Sequence, residues 1–173
     1  SQKKLDARMA DSSPLVSRLV GALGDDVSGR LGDVLEAPRE LEGLVEQLLA
    51  GDIDALLFDD AATLERAGRA ALDQKKASGE ALLVARGVSG STAAEGASGT
   101  RLVDRLSVRA GYGPVVEALL GGYYVVDDLA AALSAPVVEG VTYVTPDGAR
   151  VACGGLVRVG LDAGEASGAL ERK

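Results

Sequence analysis

The chain has 173 residues, with 26 acidic and 18 basic side chains for a formal net charge of −8, one cysteine and no histidine. A hydrophobic content of 47% with only 3% aromatic residues predicts one globular unit whose core consists of leucine, valine and alanine. A single cysteine excludes an intramolecular disulfide. The absence of histidine removes the commonest metal ligand and the usual general base at neutral pH. The negative net charge argues against nucleic-acid binding over the whole surface. The sequence has no apolar run long enough to span a membrane and no recognisable signal peptide, and it favours a cytoplasmic protein with no membrane contact.

The first 86 residues predict alternating helices and short strands. Apolar residues recur at helical spacing after Pro14 and again after Pro38, and glycine follows each of these two stretches. Compact apolar runs between the helices predict buried strands. The predicted helices cover 15–23, 38–50 and 61–76, the strands cover 54–58 and 80–85, and the run 31–35 is either a strand or a turn.

The segment 87–99, GVSGSTAAEGASG, is small, polar and rich in glycine and serine. Such a composition is typical of a flexible connection or a mobile loop, and we interpret it as a plain linker. Ser91 resembles part of a nucleophile elbow, but a chain without histidine has no base to activate it.

Beyond the linker the first half of the sequence recurs. RLGDVL at 30–35 matches RLVDRL at 101–106, and VEQLLAG at 45–51 matches VEALLGG at 116–122, both at an offset of 71 (101 − 30 and 116 − 45). FDD at 58–60 matches VDD at 126–128 at an offset of 68 (126 − 58), and the third strands, 81–84 and 141–144, follow at 60 (141 − 81). These matches predict an internal duplication, in which helices join neighbouring parallel strands through right-handed crossovers.

The stretch 141–160, VTYVTPDGARVACGGLVRVG, predicts three short strands. The first covers 141–145, the turn Pro146-Asp147-Gly148 leads to a second at 150–153, and the third covers 156–159. Gly154 and Gly155 allow a reversal or a close backbone approach, because neither carries a Cβ. This arrangement suits a sheet edge that meets another chain.

The same stretch resembles the C-terminal signature of the hinge domain of SMC (structural maintenance of chromosomes) proteins. That signature has Val-Thr, Asp-Gly, Gly-Gly and a final glycine pair, and Val144-Thr145, Asp147-Gly148, Gly154-Gly155 and Gly160 stand at its spacing. The first half is similar too, at 29–34, in the helix that ends at 49–51 and in the strand 54–58, and Leu170-Glu-Arg172-Lys173 stands where the returning coiled coil begins. Arg158 and Val159 depart from the pattern, as does 82–85, where the family has Phe-Leu-Pro-Leu.

The resemblance implies an α/β fold with two duplicated subdomains, mixed sheets and crossover helices, dimerising into a two-fold ring. It implies lead-in helices at 1–28, subdomains at 29–86 and 100–160 around the linker, and a coiled coil starting at 161–173. The edge 151–160 of one chain would meet the edge 82–85 of the other, as a bacterial homodimer. The expected interface residues are Gly154, Gly155, Gly160, Val157, Val159, Leu82 and Val84.

The resemblance also implies a parent ATPase of chromosome condensation and segregation, associated with the nucleoid. Its head domains, which would bind ATP and kleisin-type subunits, lie at the far ends of long coiled-coil arms outside this fragment. The ring would hold DNA, and five basic residues near the chain ends either form a phosphate-binding patch or are ordinary solvated coil positions. These candidate DNA contacts are Lys3, Lys4, Arg8, Arg172 and Lys173, with Lys75, Lys76 and Arg158 as weaker ones.

Every candidate for chemistry has a simpler structural interpretation. Gly154-Gly155 lacks the Gly-Lys-Ser/Thr of a phosphate loop, and the paired aspartates at 59–60 and 127–128 suit helix caps better than a Mg²⁺ site. Cys153 has no partner for catalysis, and we interpret it as a small residue packed in a strand. We therefore expect no enzyme activity and no cofactor in this fragment. Two other classes remain open, a small duplicated α/β enzyme and a duplicated ligand-sensing regulatory domain.

Overall fold

The structure is a computed structural model that describes residues 14–74, 79–89 and 93–160. Its helices form where apolar side chains repeat at helical spacing. Within α1, Val16 and Leu19 are buried, and Pro14 occupies the first position, where its missing N–H costs no hydrogen bond. The α-helices are α1 (Pro14–Leu23), α2 (Leu31–Val34), α3 (Arg39–Leu49), α4 (Ala61–Leu72), α5 (Gly113–Leu120) and α6 (Leu129–Ser134).

The strands form three sheets in the described part of the chain. The strands are β1 (Gly29–Arg30), β2 (Leu35–Glu36), β3 (Leu56–Phe58), β4 (Leu83–Ala85), β5 (Thr100–Arg101), β6 (Ser107–Val108), β7 (Tyr123–Val125), β8 (Thr142–Val144), β9 (Ala149–Ala152) and β10 (Leu156–Val159). One sheet has the order β1-β3-β4, a second has the order β10-β9-β8-β7-β5, and β2 pairs with β6 alone. Short 3₁₀ turns cover Gly24–Asp26, Ala50–Asp54 and Leu102–Arg105.

The duplication read from the sequence is visible in the strand pairing. β3 and β4 pair in parallel across the crossover helix α4, and β7 and β8 do the same across α6. β1 pairs antiparallel with β3, as β5 does with β7. In the β2–β6 ladder Glu36 lies opposite Ser107, its own repeat equivalent (107 − 36 = 71). An antiparallel pair of equivalent residues marks a local two-fold relation between the halves at this point. The α/β architecture with parallel crossover pairs is confirmed.

The paired aspartates cap helices, as the duplication favoured. The side chain of Asp60 accepts a hydrogen bond from the backbone N–H of Thr63 at 2.8 Å, and that of Asp128 accepts one from Ala131 at 2.8 Å. Both caps satisfy an N–H of the first turn that has no partner within the helix. The Thr63 N–H bond lowers the pKa of Asp60 below its usual value, because it stabilises the charged carboxylate.

The hydrophobic core has three clusters. The first combines side chains of both halves, with Leu44 and Val45 of α3 packing together with Val115 and Val116 of α5. The second lies between α6 and the outer face of the five-stranded sheet, and the third lies between α1, α4 and the outer face of the three-stranded sheet. Because the first cluster draws on both repeats, neither half can bury its apolar surface alone.

Two local predictions differ from the structure. Residues 31–35 do not form a continuous strand, since the single helical turn α2 separates β1 from the start of β2 at Leu35. Cys153 is not packed in a strand: it is exposed in the turn after β9, with a φ of 55°. A run as short as 31–35 contains too few residues to show a helical period, and the strand pattern at 150–153 did not reveal where the turn begins.

Residues 93–99 of the predicted linker pack against the sheet. The N–H of Ala94 donates to the hydroxyl of Tyr124 at 2.7 Å, and the N–H of Ser98 donates to that of Tyr143 at 3.3 Å. Ala94 and Ala97 also contact the core cluster beneath α6. Two tyrosine hydroxyl groups therefore hold this segment on the five-stranded sheet, which its composition did not indicate.

Candidate dimer interface

β10 is an edge strand whose four side chains are all exposed. Leu156, Val157 and Val159 are 64%, 42% and 63% exposed. Val157 and Val159 lie opposite Val151 and Ala149, whose side chains are buried on the α6 side. Backbone N–H and C=O groups along a free edge, next to exposed apolar side chains, form a template for pairing with another strand.

The turn before β10 explains the first glycine of the pair. The N–H of Gly155 donates to the carbonyl of Ala152 at 3.2 Å, and Cys153 and Gly154 have φ values of 55° and 75°. Positive φ at both central residues is the signature of a type I′ hairpin turn. A Cβ at Gly154 would lie 3.0 Å from a methyl carbon of Val137, whereas one at Gly155 would meet nothing within 4 Å. Gly154 therefore serves the turn, and Gly155 faces open space.

The end of β10 is fixed to the other half of the molecule. The N–H of Gly160 donates to the carbonyl of Gly148 at 2.9 Å, and its carbonyl accepts from the Gln47 amide nitrogen at 3.0 Å. A Cβ on Gly148 would clash with the Gly160 carbonyl. Gln47 on α3 is thus a positioning residue that the sequence analysis missed. Its half-buried place beside the apolar stripe of α3 gave no signal of this contact.

The second predicted edge lies on β4. Val84 is 8% exposed, and it packs with the half-buried Leu82 against the core shared by both halves. Both side chains therefore pack inside their own chain. A partner would meet the backbone edge of β4 and not these side chains. The five basic residues predicted to contact DNA, at 3, 4, 8, 172 and 173, lie outside the described residues.

Other kinds of site receive no support from the described ranges. Within 14–74, 79–89 and 93–160, no three acidic or cysteine side chains come together in a way that would hold a metal ion. Over the same residues, no helix combines the length and apolar character needed to cross a bilayer. The described residues thus define a duplicated α/β domain in which β10 is an exposed apolar edge strand.

The particular family follows from comparison with known proteins. Residues 24–135 match the family described as SMC proteins Flexible Hinge Domain, which is more than half of the chain. The chain belongs to this family and is a hinge domain of the SMC type, whose function is dimerisation. No curated protein sequence matches the chain.

Solved hinge structures share the fold. The Pyrococcus furiosus SMC hinge domain is 16% identical with a TM-score of 0.69, covering 91% of this chain and 86% of that chain. A Geobacillus stearothermophilus SMC hinge, described as an asymmetric dimer, is 20% identical with a TM-score of 0.72, covering 99% and 74%. A Pyrococcus furiosus hinge with an extended coiled coil is 18% identical with a TM-score of 0.72, covering 98% and 63%.

Proposed function

We propose that this chain is the homodimeric hinge of an SMC protein and that β10 of one protomer pairs with β4 of its partner. The observation that carries the proposal is the free edge of β10, with three large apolar side chains exposed in the single chain. β4 is the matching free edge of the other sheet. Joining the three-stranded sheet of one protomer to the five-stranded sheet of the other makes a continuous sheet of eight strands (3 + 5).

Two such seams form in a two-fold dimer. β10 and β4 are different surfaces, so the contact is heterologous, but a two-fold axis uses each edge once per protomer and leaves neither free. Val157 and Val159, on the α6 side of β10, then supply apolar burial, and the backbone edges supply register. The predicted interface residues Gly154, Gly155 and Gly160 flank the paired segment, and Leu82 and Val84 belong to the β4 edge.

The strand direction at the seam follows from the crossovers. β3–α4–β4 and β7–α6–β8 are parallel units, and such units have the same right hand in nearly all proteins. β10 runs in the direction of β8, because β8–β9 and β9–β10 are both antiparallel. Because both crossovers are right-handed, an antiparallel seam places the partner's α4 on the same side of the joined sheet as α6. A parallel seam places the partner's α4 on the opposite side. Leu133 on α6 and Leu72 on α4 are 46% and 84% exposed, so the antiparallel seam places exposed leucines of both protomers on one side of the joined sheet.

Cysteine crosslinking distinguishes the two directions. Cys153 is the single cysteine, is exposed and lies in the turn before β10. An antiparallel seam places it beside the end of the partner's β4, so Gly87→Cys should give a covalent dimer with a short thiol-specific bifunctional reagent. A parallel seam places it beside the start of β4, where Glu80→Cys should react instead. A Cβ at Gly87 meets nothing within 4 Å, so that substitution fits the fold.

The unsubstituted protein is the control, because its two Cys153 residues lie at separate seams and should not crosslink. Sedimentation equilibrium of the same samples must show a dimer before the reagent is added. Crosslinking of Glu80→Cys in preference to Gly87→Cys would overturn the antiparallel seam and leave the dimer intact. A monomer at micromolar concentration would overturn the proposed function itself.

We also propose the finer organisation that the resemblance implies. Subdomains at 29–86 and 100–160 are supported by the repeated strand pairing, with a lead-in region at 1–28 and a coiled coil beginning at 161–173. The parent protein would be a bacterial cytoplasmic ATPase, associated with the nucleoid, whose distant heads bind ATP and kleisin-type subunits. Its role would be to hold DNA within a ring during chromosome condensation and segregation.

Weak DNA contact at the junction between hinge and coil is the most direct test of that role. If Lys3, Lys4, Arg172 and Lys173 gather there with Arg8, they attract phosphates without regard to sequence. Replacing the first four by glutamate should abolish salt-dependent binding of a short DNA duplex to the isolated domain, measured by fluorescence anisotropy. Unchanged binding would remove the contact from the proposal.

A further inference from the structure

A groove of about 450 Å³ lies on the five-stranded sheet next to the edge strand. It crosses four strands, β7 to β10, mainly on the face turned away from α6. Its size is within the range of small-molecule sites, roughly 300–1,000 Å³. Among the residues that the structure describes, the following line it, and none of them is acidic: Tyr123, Thr142, Arg150, Ala152, Leu156, Val157 and Arg158.

The groove contains two guanidinium groups from directly opposed positions. Arg150 on β9 lies opposite Arg158 on β10 in the register of the ladder. Like charges in this arrangement repel each other and destabilise a sheet. Both side chains are without a hydrogen bond or ion pair to any described residue, and the Nε atom of Arg150 is buried without a hydrogen-bond partner.

Several other arginines of this acidic chain form ion pairs with carboxylates. Arg30 pairs with Asp54 at 3.4 Å, Arg101 with Glu117 at 3.5 Å and Arg105 with Glu40 at 3.1 Å. None of the acidic residues in the described ranges lines the groove. A buried donor is normally satisfied by a hydrogen-bond acceptor, so the Arg150 Nε atom indicates a bound acceptor. Two adjacent guanidinium groups are best neutralised by a group with two negative charges.

We infer that this groove binds a phosphate group of a phosphorylated ligand through Arg150 and Arg158. A phosphate monoester carries nearly two negative charges at neutral pH, with oxygens that match the planar fork of a guanidinium. The hydroxyl groups of Tyr123 and Thr142 add two further donors, and neither has a hydrogen-bond partner among the described residues. The rest of the molecule would lie against the Tyr123 ring, Ala152 and Leu156.

The site does not depend on the proposed dimer. Strand pairing uses the backbone edge of β10, whereas the groove lies on a sheet face inside one chain. The same chemistry has two sources, a free phosphorylated molecule or the backbone of a nucleic acid, and a titration can distinguish them. A carboxylate from the partner protomer is the competing explanation for the two arginines.

The test is an amide NMR titration of the full 173-residue chain with inorganic phosphate, adenosine monophosphate, adenosine and a short DNA duplex. Phosphate and the monophosphate should bind saturably and shift resonances of β7 to β10, and adenosine should not. Arg150→Gln/Arg158→Gln should weaken monophosphate binding by roughly tenfold or more for each lost guanidinium. Arg18→Gln/Arg39→Gln removes the same charge at exposed positions elsewhere and should leave binding unchanged.

Competition between the DNA duplex and adenosine monophosphate identifies the source of the phosphate group. If the duplex displaces the monophosphate, the site binds a nucleic-acid backbone. If it does not, the site binds a free phosphorylated molecule. Either result supports the phosphate site. Arg158→Gln alone, at an exposed position, repeats the test if the double variant has a lowered unfolding midpoint. Absence of saturable binding, or an equal loss in Arg18→Gln/Arg39→Gln, would overturn the proposal. Loss of the dimer in Arg150→Gln/Arg158→Gln, with no phosphate binding by the unsubstituted chain, would assign the arginines to a partner carboxylate instead.

Discussion

Replacing Val157 and Val159 together by lysine should convert the dimer into a folded monomer. In the single chain these side chains are 42% and 63% exposed, so lysine at either position remains solvated and the fold is retained. At the proposed seam both positions are covered. Each lost valine contact costs about 1 kcal/mol of apolar burial, and two contacts at each of two seams give about 4 kcal/mol, or roughly a thousandfold in the dissociation constant.

The measurement is sedimentation equilibrium across a range of concentrations, with circular dichroism to verify folding. Thr100→Lys/Ser107→Lys is the matched control, because both positions are exposed, lie in strands and belong to neither β4 nor β10. That control should dimerise like the unsubstituted chain. Dimerisation of the double valine variant with unchanged affinity would mean that β10 is not the seam.

The double lysine variant at 157 and 159 tests the β10 edge more directly than a charged residue at Gly154 or Gly155 would. Gly154 has a φ of 75° and a nearby methyl group, so any side chain there strains the turn whether or not a partner is present. A change at Gly154 therefore mixes folding with association. Gly155, with open space around it, does not have this difficulty.

The architecture was largely predictable because it is repeated. Two motifs at one offset identified equivalent helices, and a helix between neighbouring strands requires a crossover, which makes the strands parallel. The capping role of Asp60 and Asp128 followed in the same way, because an acidic residue recurs where a strand enters a helix. Such inferences use local chemistry and chain order alone.

The contacts that position the edge and the groove were not predictable in this way. Gln47 bonds to Gly160, 113 residues further along the chain, and a single polar residue beside an apolar stripe carries no signal of such a partner. Arg158 was visible as a departure from the family pattern, but only the β9–β10 register places Arg150 opposite it. The end of β9 and the exposure of Cys153 likewise depend on the backbone conformation of a tight turn.

Replacing Phe58 by alanine should cause the largest loss of stability from a single residue. Phe58 is the single phenylalanine of the chain, is fully buried in β3 and packs with Leu19 of α1 and Ala67 of α4. Its loss leaves a cavity between three elements in a core that has few aromatic rings. The expected cost is about 3–5 kcal/mol in the free energy of unfolding, measured by urea denaturation at a fixed protein concentration.

Phe58→Leu retains most of the volume and should cost about 1.5 kcal/mol or less, and Leu72→Ala, at a side chain 84% exposed, should cost little. Equal effects of alanine and leucine at 58 would contradict the packing explanation. The change should also weaken the dimer, because the cavity loosens β3, which pairs in parallel with β4 and so positions that edge. A core residue of the three-stranded sheet thereby supports the edge that a partner strand requires.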